Sequence, residues 1–62
     1  MSVKQIRLNA MRKVKEEVRE YFTAEVRMFN REGQYSTAST QRHEGNKVLR
    51  VIKDLIKKEK AK

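Results

Sequence analysis

The placement of helix breakers constrains this chain more than any other feature. The 62 residues include no proline, and the two glycines, Gly33 and Gly45, both lie away from the chain ends, in the middle of the sequence. Because proline and glycine end helices more often than other residues, each flank can form a long uninterrupted helix. Residues 33–46 hold both glycines, a Ser/Thr run and almost no aliphatic side chains. The sequence therefore predicts a mainly α fold in one small domain, with two helices joined by a polar connector.

The first flank is predicted to form one helix over about residues 3–31. Ser2 and Gln5 have the spacing of a capping box, and Gly33 is suited to the C-terminal end. At about 100° per residue, the apolar side chains collect on one broad stripe. Its members are Val3, Met11, Val14, Val18, Tyr21, Phe22, Met28 and Phe29. Glu25 interrupts this stripe, either as a carboxylate at the rim of a two-helix layer or as one half of a buried ion pair with a partner chain.

Residues 4–9 (KQIRLN) permit a second interpretation, because polar and apolar side chains alternate there with the period of a strand. A short basic strand followed by a helix resembles the ribbon-helix-helix repressors, in which paired strands of a dimer enter the major groove. The resemblance covers about 20 residues and implies that Gln5, Arg7 and Asn9 contact DNA. The chain departs from that family because about 25 residues separate the two helical cores, where the family has a short turn. The strand remains the alternative to a helix that starts near residue 3.

The second flank is predicted to be helical over about residues 47–60, after a connector over about residues 32–46. One helical face collects Val48, Val51, Ile52, Leu55 and Ile56. Asn46 would cap this helix, whereas Ser39 or Thr40 would cap a longer one that includes Gly45 at a cost of about 1 kcal/mol relative to Ala. In an antiparallel hairpin, the expected core and dimer surface consists of Val14, Val18, Tyr21 and Phe22 against Val48, Ile52 and Leu55.

The chain has few means of stabilising a monomer. Its hydrophobic fraction is 37%, with two Phe, two Tyr, no Trp and no Cys. A 60-residue domain buries only about 60% of its unfolded surface, and this one has neither disulfides nor zinc thiolates to add. We therefore expect a homo-oligomer, a dimer that forms a helical bundle. The absence of cysteine and of any apolar run longer than two residues favours a cytoplasmic protein without a secretory signal or a membrane-spanning helix.

The positive charge lies at the two chain ends. Lys and Arg number 16 against 8 Asp and Glu, and residues 1–15 and 53–62 together hold ten bases and two acids, so the middle of the chain is neutral. An antiparallel hairpin would bring both basic ends together, and such a concentration is typical of surfaces that bind polyanions. The candidate nucleic-acid-binding residues are Lys4, Arg7, Arg12, Lys13, Lys15, Lys53, Lys57 and Lys58.

Several function classes are disfavoured by what the sequence lacks. One His, one Asp and no Cys do not suffice for a catalytic triad, and His43 has no companion ligands for a metal, so we expect no enzyme, catalytic residue, metal or cofactor. Binding to a membrane surface is disfavoured by the absence of Trp and by the glutamates of residues 16–25. The leading hypothesis is a small basic regulatory or accessory protein that binds duplex DNA or structured RNA. The alternative is an adaptor or inhibitor that grips an acidic partner protein through its basic and apolar surfaces.

Overall fold

Two helices make up nearly all of the fold. The computed structural model describes residues 2–62, with α1 over Val3–Arg31 and α2 over Tyr35–Ala61. The mainly α prediction is thereby confirmed. The helices fold back on each other as a hairpin whose Cα atoms extend over 47 × 17 × 7 Å, which is a flat two-helix layer. Within the described range, neither helix has a segment long and apolar enough to cross a membrane.

Local signals set both ends of α1. The Ser2 Oγ accepts a hydrogen bond from the backbone N–H of Gln5 at 3.1 Å, which satisfies one free donor of the first turn. At the other end, Gly33 adopts a φ of +78°, a left-handed conformation that glycine enters without steric cost. The backbone N–H of Gln34 then donates to the carbonyl of Phe29 at 2.8 Å. Because residues 3–8 belong to α1 and no strand occurs among residues 2–62, the structure does not support the strand-first alternative.

The connector is much shorter than the predicted one. Only Glu32, Gly33 and Gln34 separate the helices, so most of residues 32–46 lies in α2, which starts at Tyr35 rather than near residue 47. The Ser/Thr run is accommodated inside the helix, where the Thr40 hydroxyl donates to the backbone carbonyl of Ser36 at 3.1 Å. Tertiary packing overrides the weak helix propensity of this segment, because its small residues face α1.

The contact line between the helices follows one stripe on each. The buried hydrophobic residues are Leu8, Ala38 and Ile56, and no large side chain in the described range is fully buried. Gly45 is also buried, opposite Phe22. Half-buried residues complete the line, namely Met11, Lys15, Val18, Phe22, Glu25, Val26 and Phe29 on α1 with Gln41, Leu49 and Ile52 on α2. The core is therefore a single thin seam between two helices.

The predicted core residues divide into two groups. Val18, Phe22 and Ile52 are half-buried along the contact line, as are the neighbouring seam residues. The others are exposed: Val14 by 49%, Tyr21 by 57%, Val48 by 38% and Leu55 by 49%. The apolar stripe seen on the helical wheel is wider than the strip that one partner helix can cover, so its outer edge stays outside the hairpin.

Leu8, which is not a member of the predicted apolar stripe, and Glu25, which interrupts it, both lie on the contact line between the helices. Leu8 is buried, whereas Ile6 is exposed, because the contact line runs along the Leu8 side of α1. Glu25 is half-buried on the contact line, and no ion pair involving it occurs among residues 2–62. Within one chain Glu25 therefore takes part in no buried ion pair, and its pairing with a partner chain stays a prediction.

Candidate nucleic-acid interface

The two sides of the flat layer differ in character. In a helix, residues on either side of the contact stripe point to opposite faces of the layer, since successive side chains turn by about 100°. One face, which we term the basic face, presents Arg12, Lys15, Arg19, Arg27, Arg42, Lys53, Lys57 and Lys60. The other, the apolar face, presents Ala10, Val14, Tyr21, Met28, Val48, Val51 and Leu55. The depressions of the basic face are thus lined by bases, whereas the groove of the apolar face is lined by apolar side chains.

A depression near the chain ends gathers lysines from both helices. Lys15 of α1 lines it together with Lys53, Lys57 and Lys60 of α2, and Ile56 forms its apolar floor. Lys15 is half-buried because its aliphatic stem lies on the contact line, which leaves its ammonium group free to reach the surface. None of the lining residues is acidic. The result is a site with a high local density of positive charge.

A second depression on the same face gathers arginines nearer the connector. Arg19 and Arg27 of α1 and Arg42 of α2 line it, over a floor that includes Phe22 and Leu49. Arginine presents a planar fork of donors that matches the geometry of phosphate oxygens. Three uncharged polar side chains, those of Thr23, Asn30 and Asn46, also line the depression and supply further hydrogen-bonding groups.

The two depressions form one row along the layer. Arg12 belongs to the same row, because its spacing of three residues from Lys15 and seven from Arg19 keeps it on the same side of α1. From Arg42 to Lys60 the row extends over about 27 Å at 1.5 Å per residue, a length over which duplex DNA carries about 16 phosphates. Glu16 lies beside this row and contacts Arg19 at 3.9 Å between carboxylate and guanidinium, with both side chains about half exposed. An exposed pair of this kind contributes little, so Arg19 remains available to a phosphate.

The chain ends meet at one end of the hairpin. The Lys4 Nζ donates to the backbone carbonyl of Lys60 at 2.9 Å. The carboxylate of Glu59, which is only 5% exposed, lies 3.7 Å from the Arg7 guanidinium and 3.2 Å from the Lys62 ammonium. These contacts fasten the start of α1 to the end of α2 and engage Arg7 within the chain.

The candidate residues chosen from the sequence therefore occupy three different places. Arg12, Lys15, Lys53 and Lys57 lie on the basic face. Lys4 and Arg7 take part in the chain-end contacts. Lys13 and Lys58 are exposed near the outer edges of the layer, well away from the basic row.

Sequence reasoning missed four residues of the basic face, which are Arg19, Arg27, Arg42 and Lys60. Three of them lie in the middle segment, whose total charge is zero. Summing charge by segment hid them, because the glutamates of that segment line neither depression. Summing charge by helix face would have revealed the arginines.

The apolar face carries a shallow groove of its own. Ala10, Met11 and Val14 of α1 line it with Ile52 and Leu55 of α2, so every lining side chain is apolar. Val51 and Tyr21 extend this surface along the layer, exposed by 60% and 57%. Exposed apolar surface of this extent is typical of an interaction site.

Comparison with known proteins adds no relative. No family model matches the sequence, and neither a curated protein nor a solved structure shows significant similarity to it. Within residues 2–62 there is also no cluster of His, Cys, Asp and Glu that could hold a metal ion. Any functional argument therefore rests on the two faces of the hairpin.

Proposed function

We propose that this chain is a small, non-enzymatic nucleic-acid-binding protein whose basic face contacts the phosphates of duplex DNA or structured RNA. The convergence of Lys15 with Lys53, Lys57 and Lys60 around one depression carries the proposal. Like charges held together raise the free energy of the free protein, and a polyanion that neutralises them relieves that repulsion. The same contact releases condensed counterions from the nucleic acid, which supplies much of the binding free energy.

The basic face favours contact with the backbone over stacking on bases. The aromatic ring that lines the arginine depression, that of Phe22, is half-buried between the helices and lies over Gly45. Single-strand binders use exposed rings as platforms for successive bases, and Phe22 is not placed to serve as one. Contacts to phosphates position a protein on a duplex without reading its sequence. We therefore propose binding with little sequence preference, in a regulatory or accessory role.

We also propose that the protein acts as a homo-oligomer. Only Leu8, Ala38 and Ile56 are buried hydrophobic residues within the described range, which is little for a chain that lacks disulfides. Hairpins of two helices and of this size can gain stability by burying further apolar surface between chains. The exposed apolar face supports such an assembly.

Two variants with equal loss of charge test the role of the basic face. The test variant replaces Lys15, Lys53 and Lys57 with Gln, and the matched control replaces Lys13, Arg31 and Lys47, which are exposed and line neither depression. Fluorescence anisotropy with a mixed-sequence duplex measures the affinity as a function of salt. Loss of three phosphate contacts lowers the slope of log affinity against log salt by about 3 and the affinity at 0.1 M salt by about 10²-fold. We expect this for the test variant and a much smaller change for the control.

Two results would contradict the proposal. Equal weakening by both variants would mean that net charge, and not the basic face, determines binding. Absence of binding by the unmodified chain at low salt, to duplex DNA and to structured RNA alike, would instead favour an acidic protein as the partner. Far-UV circular dichroism of both variants checks that the helices are retained.

A further inference from the structure

We infer that the apolar face is covered by a second copy of this chain, packed about a two-fold axis that runs across the hairpin. In this arrangement the chain-end half of each copy lies over the connector half of the other. This arrangement rests on the homo-oligomer proposed above and does not depend on nucleic-acid binding. Its basis is the spacing, the size and the charge distribution of the apolar face.

The exposed apolar residues have the spacing of a second helical seam. On α1, Val14, Tyr21 and Met28 are seven residues apart, and on α2, Val48 and Leu55 are also separated by seven. Seven-residue spacing keeps side chains on the side of a neighbouring helix over several turns. The contact line inside the hairpin already uses a different stripe of each helix. Two seams on each helix are what a four-helix bundle requires, and a hairpin on its own uses one.

The size of the apolar face fits a second copy. The layer measures 47 × 17 Å in its own plane. This corresponds to about 800 Å² of projected area, which is comparable in size with the accessible surface of about 800 Å² that each partner contributes to a protein interface of standard size. A second hairpin presents the same outline and the same apolar surface, so the whole face can be covered in a closed two-fold contact.

The charges around the apolar face select the direction of packing. Toward the chain ends this side of the layer carries Lys58 and Lys62, and toward the connector it carries Glu25 and Glu44. A two-fold axis along the hairpin would place bases over bases and acids over acids. An axis across the hairpin places the basic end of each copy over the acidic half of the other, which is the complementary arrangement.

The proposed axis makes one residue diagnostic. Val48 is the midpoint of α2, which spans Tyr35–Ala61, and it belongs to the apolar face. An axis across the middle of the hairpin brings the two copies of α2 together antiparallel, so the two Val48 residues approach each other. An axis along the hairpin would instead pack α2 against α1 of the other copy and keep them apart.

A single introduced cysteine tests this geometry, since the chain has none of its own. Under mild oxidation, we expect Val48→Cys to form a disulfide-linked dimer in high yield, seen on a non-reducing gel. The control is Ser39→Cys, an exposed α2 position away from the apolar face, which we expect to remain largely monomeric on the gel. A cross-link at position 39 but not at position 48 would overturn the proposed axis.

Light scattering of the unmodified chain tests the interface itself. We expect twice the chain mass of 7.4 kDa at about 100 μM. Val51→Gln places a polar side chain in the apolar face at a site that is 60% exposed in the hairpin, and Gln is a better helix former than Val, so the monomer keeps its helices. This variant is expected to lose at least tenfold in dimer affinity, whereas Tyr35→Gln, off the apolar face, is expected to lose none. A monomeric unmodified chain, or a Val51→Gln variant that dimerises normally, would overturn the inference.

Discussion

At position 45, helix propensity favours Ala, whereas the close packing of the two helices favours Gly. Gly45→Ala is therefore the sharpest test of the hairpin. In an exposed helix, changing Gly to Ala stabilises by about 1 kcal/mol because Ala loses less backbone entropy. At position 45 a Cβ atom would lie 2.7 Å from Cγ and 2.9 Å from Cβ of Phe22. Both atoms are close to the backbone of α1, so turning the ring away does not relieve the overlap. The helices must separate.

The sign of the effect follows from comparing the two terms. Overpacking of this kind costs about 1–3 kcal/mol, against a gain of about 1 kcal/mol from helix propensity. We therefore expect a net loss of about 1 kcal/mol in the free energy of unfolding. For a domain of this size, that loss lowers Tm by about 4–8 °C. If the helices were not in close contact at this point, the same substitution would raise Tm by a similar amount.

Thermal unfolding followed by circular dichroism at 222 nm distinguishes the two signs. All variants are compared at one protein concentration, because the stability of an oligomer depends on it. The matched reference is the difference between His43→Gly and His43→Ala, since His43 is exposed in the same helix and reports helix propensity alone. The Tm of His43→Ala minus the Tm of His43→Gly gives the effect of helix propensity alone. If Gly45→Ala raises Tm by that same amount, the close approach of Phe22 to Gly45 is refuted.

Two further predictions concern the assembled protein. The proposed axis brings the midpoints of the two α1 helices together, and Glu17 lies at that midpoint. Glu17→Gln is therefore expected to remove a like-charge repulsion of about 0.5 kcal/mol and to tighten the dimer about twofold. An unchanged or weaker dimer in sedimentation equilibrium would count against the axis. A dimer joined through its apolar faces presents its two basic faces in opposite directions, so it is expected to bring two duplexes together, which energy transfer between donor-labelled and acceptor-labelled DNA would report. The Val51→Gln variant is expected to bind DNA without this transfer, and transfer that persists in a monomeric variant would contradict the arrangement.

The two helices could be predicted because the breakers are so few, but the start of α2 could not be predicted from composition. Residues 35–46 look like a connector when judged by propensity, with their Ser, Thr and Gly content. A seven-residue repeat nevertheless indicates a helix through this segment. Its members lie on the contact line and are Ala38, Gly45, Ile52 and Glu59. The small members of this repeat bring α2 close to α1, and a search for large apolar residues passes over them.

The sequence predicted that the protein has a basic surface, but it identified only some of the residues that form it. Lys15, Lys53 and Lys57 could be chosen from the sequence because they lie in segments with excess positive charge. Arg19 and Arg42 could not, because their neighbours in the sequence cancel their charge while their neighbours in space do not. The approach of two distant segments therefore determines the surface, and one helix considered alone does not show which side its partner will cover.

The division into two faces explains why the apolar stripe of α1 was too wide for a hairpin. A helix that packs against one neighbour needs one apolar stripe, yet Val14 and Tyr21 lie beside the contact line and not on it. The apolar residues of α2 that lie outside the contact line, including Val51 and Leu55, are on the same side of the layer. Together with those of α1 they form one apolar surface. Independent surface hydrophobic residues would scatter over both faces, whereas here the opposite face has collected the arginines and lysines. Such separation in a chain of 62 residues is the pattern expected of half a bundle, in which the proposed second copy would bury one side and leave the other open to the proposed anionic ligand.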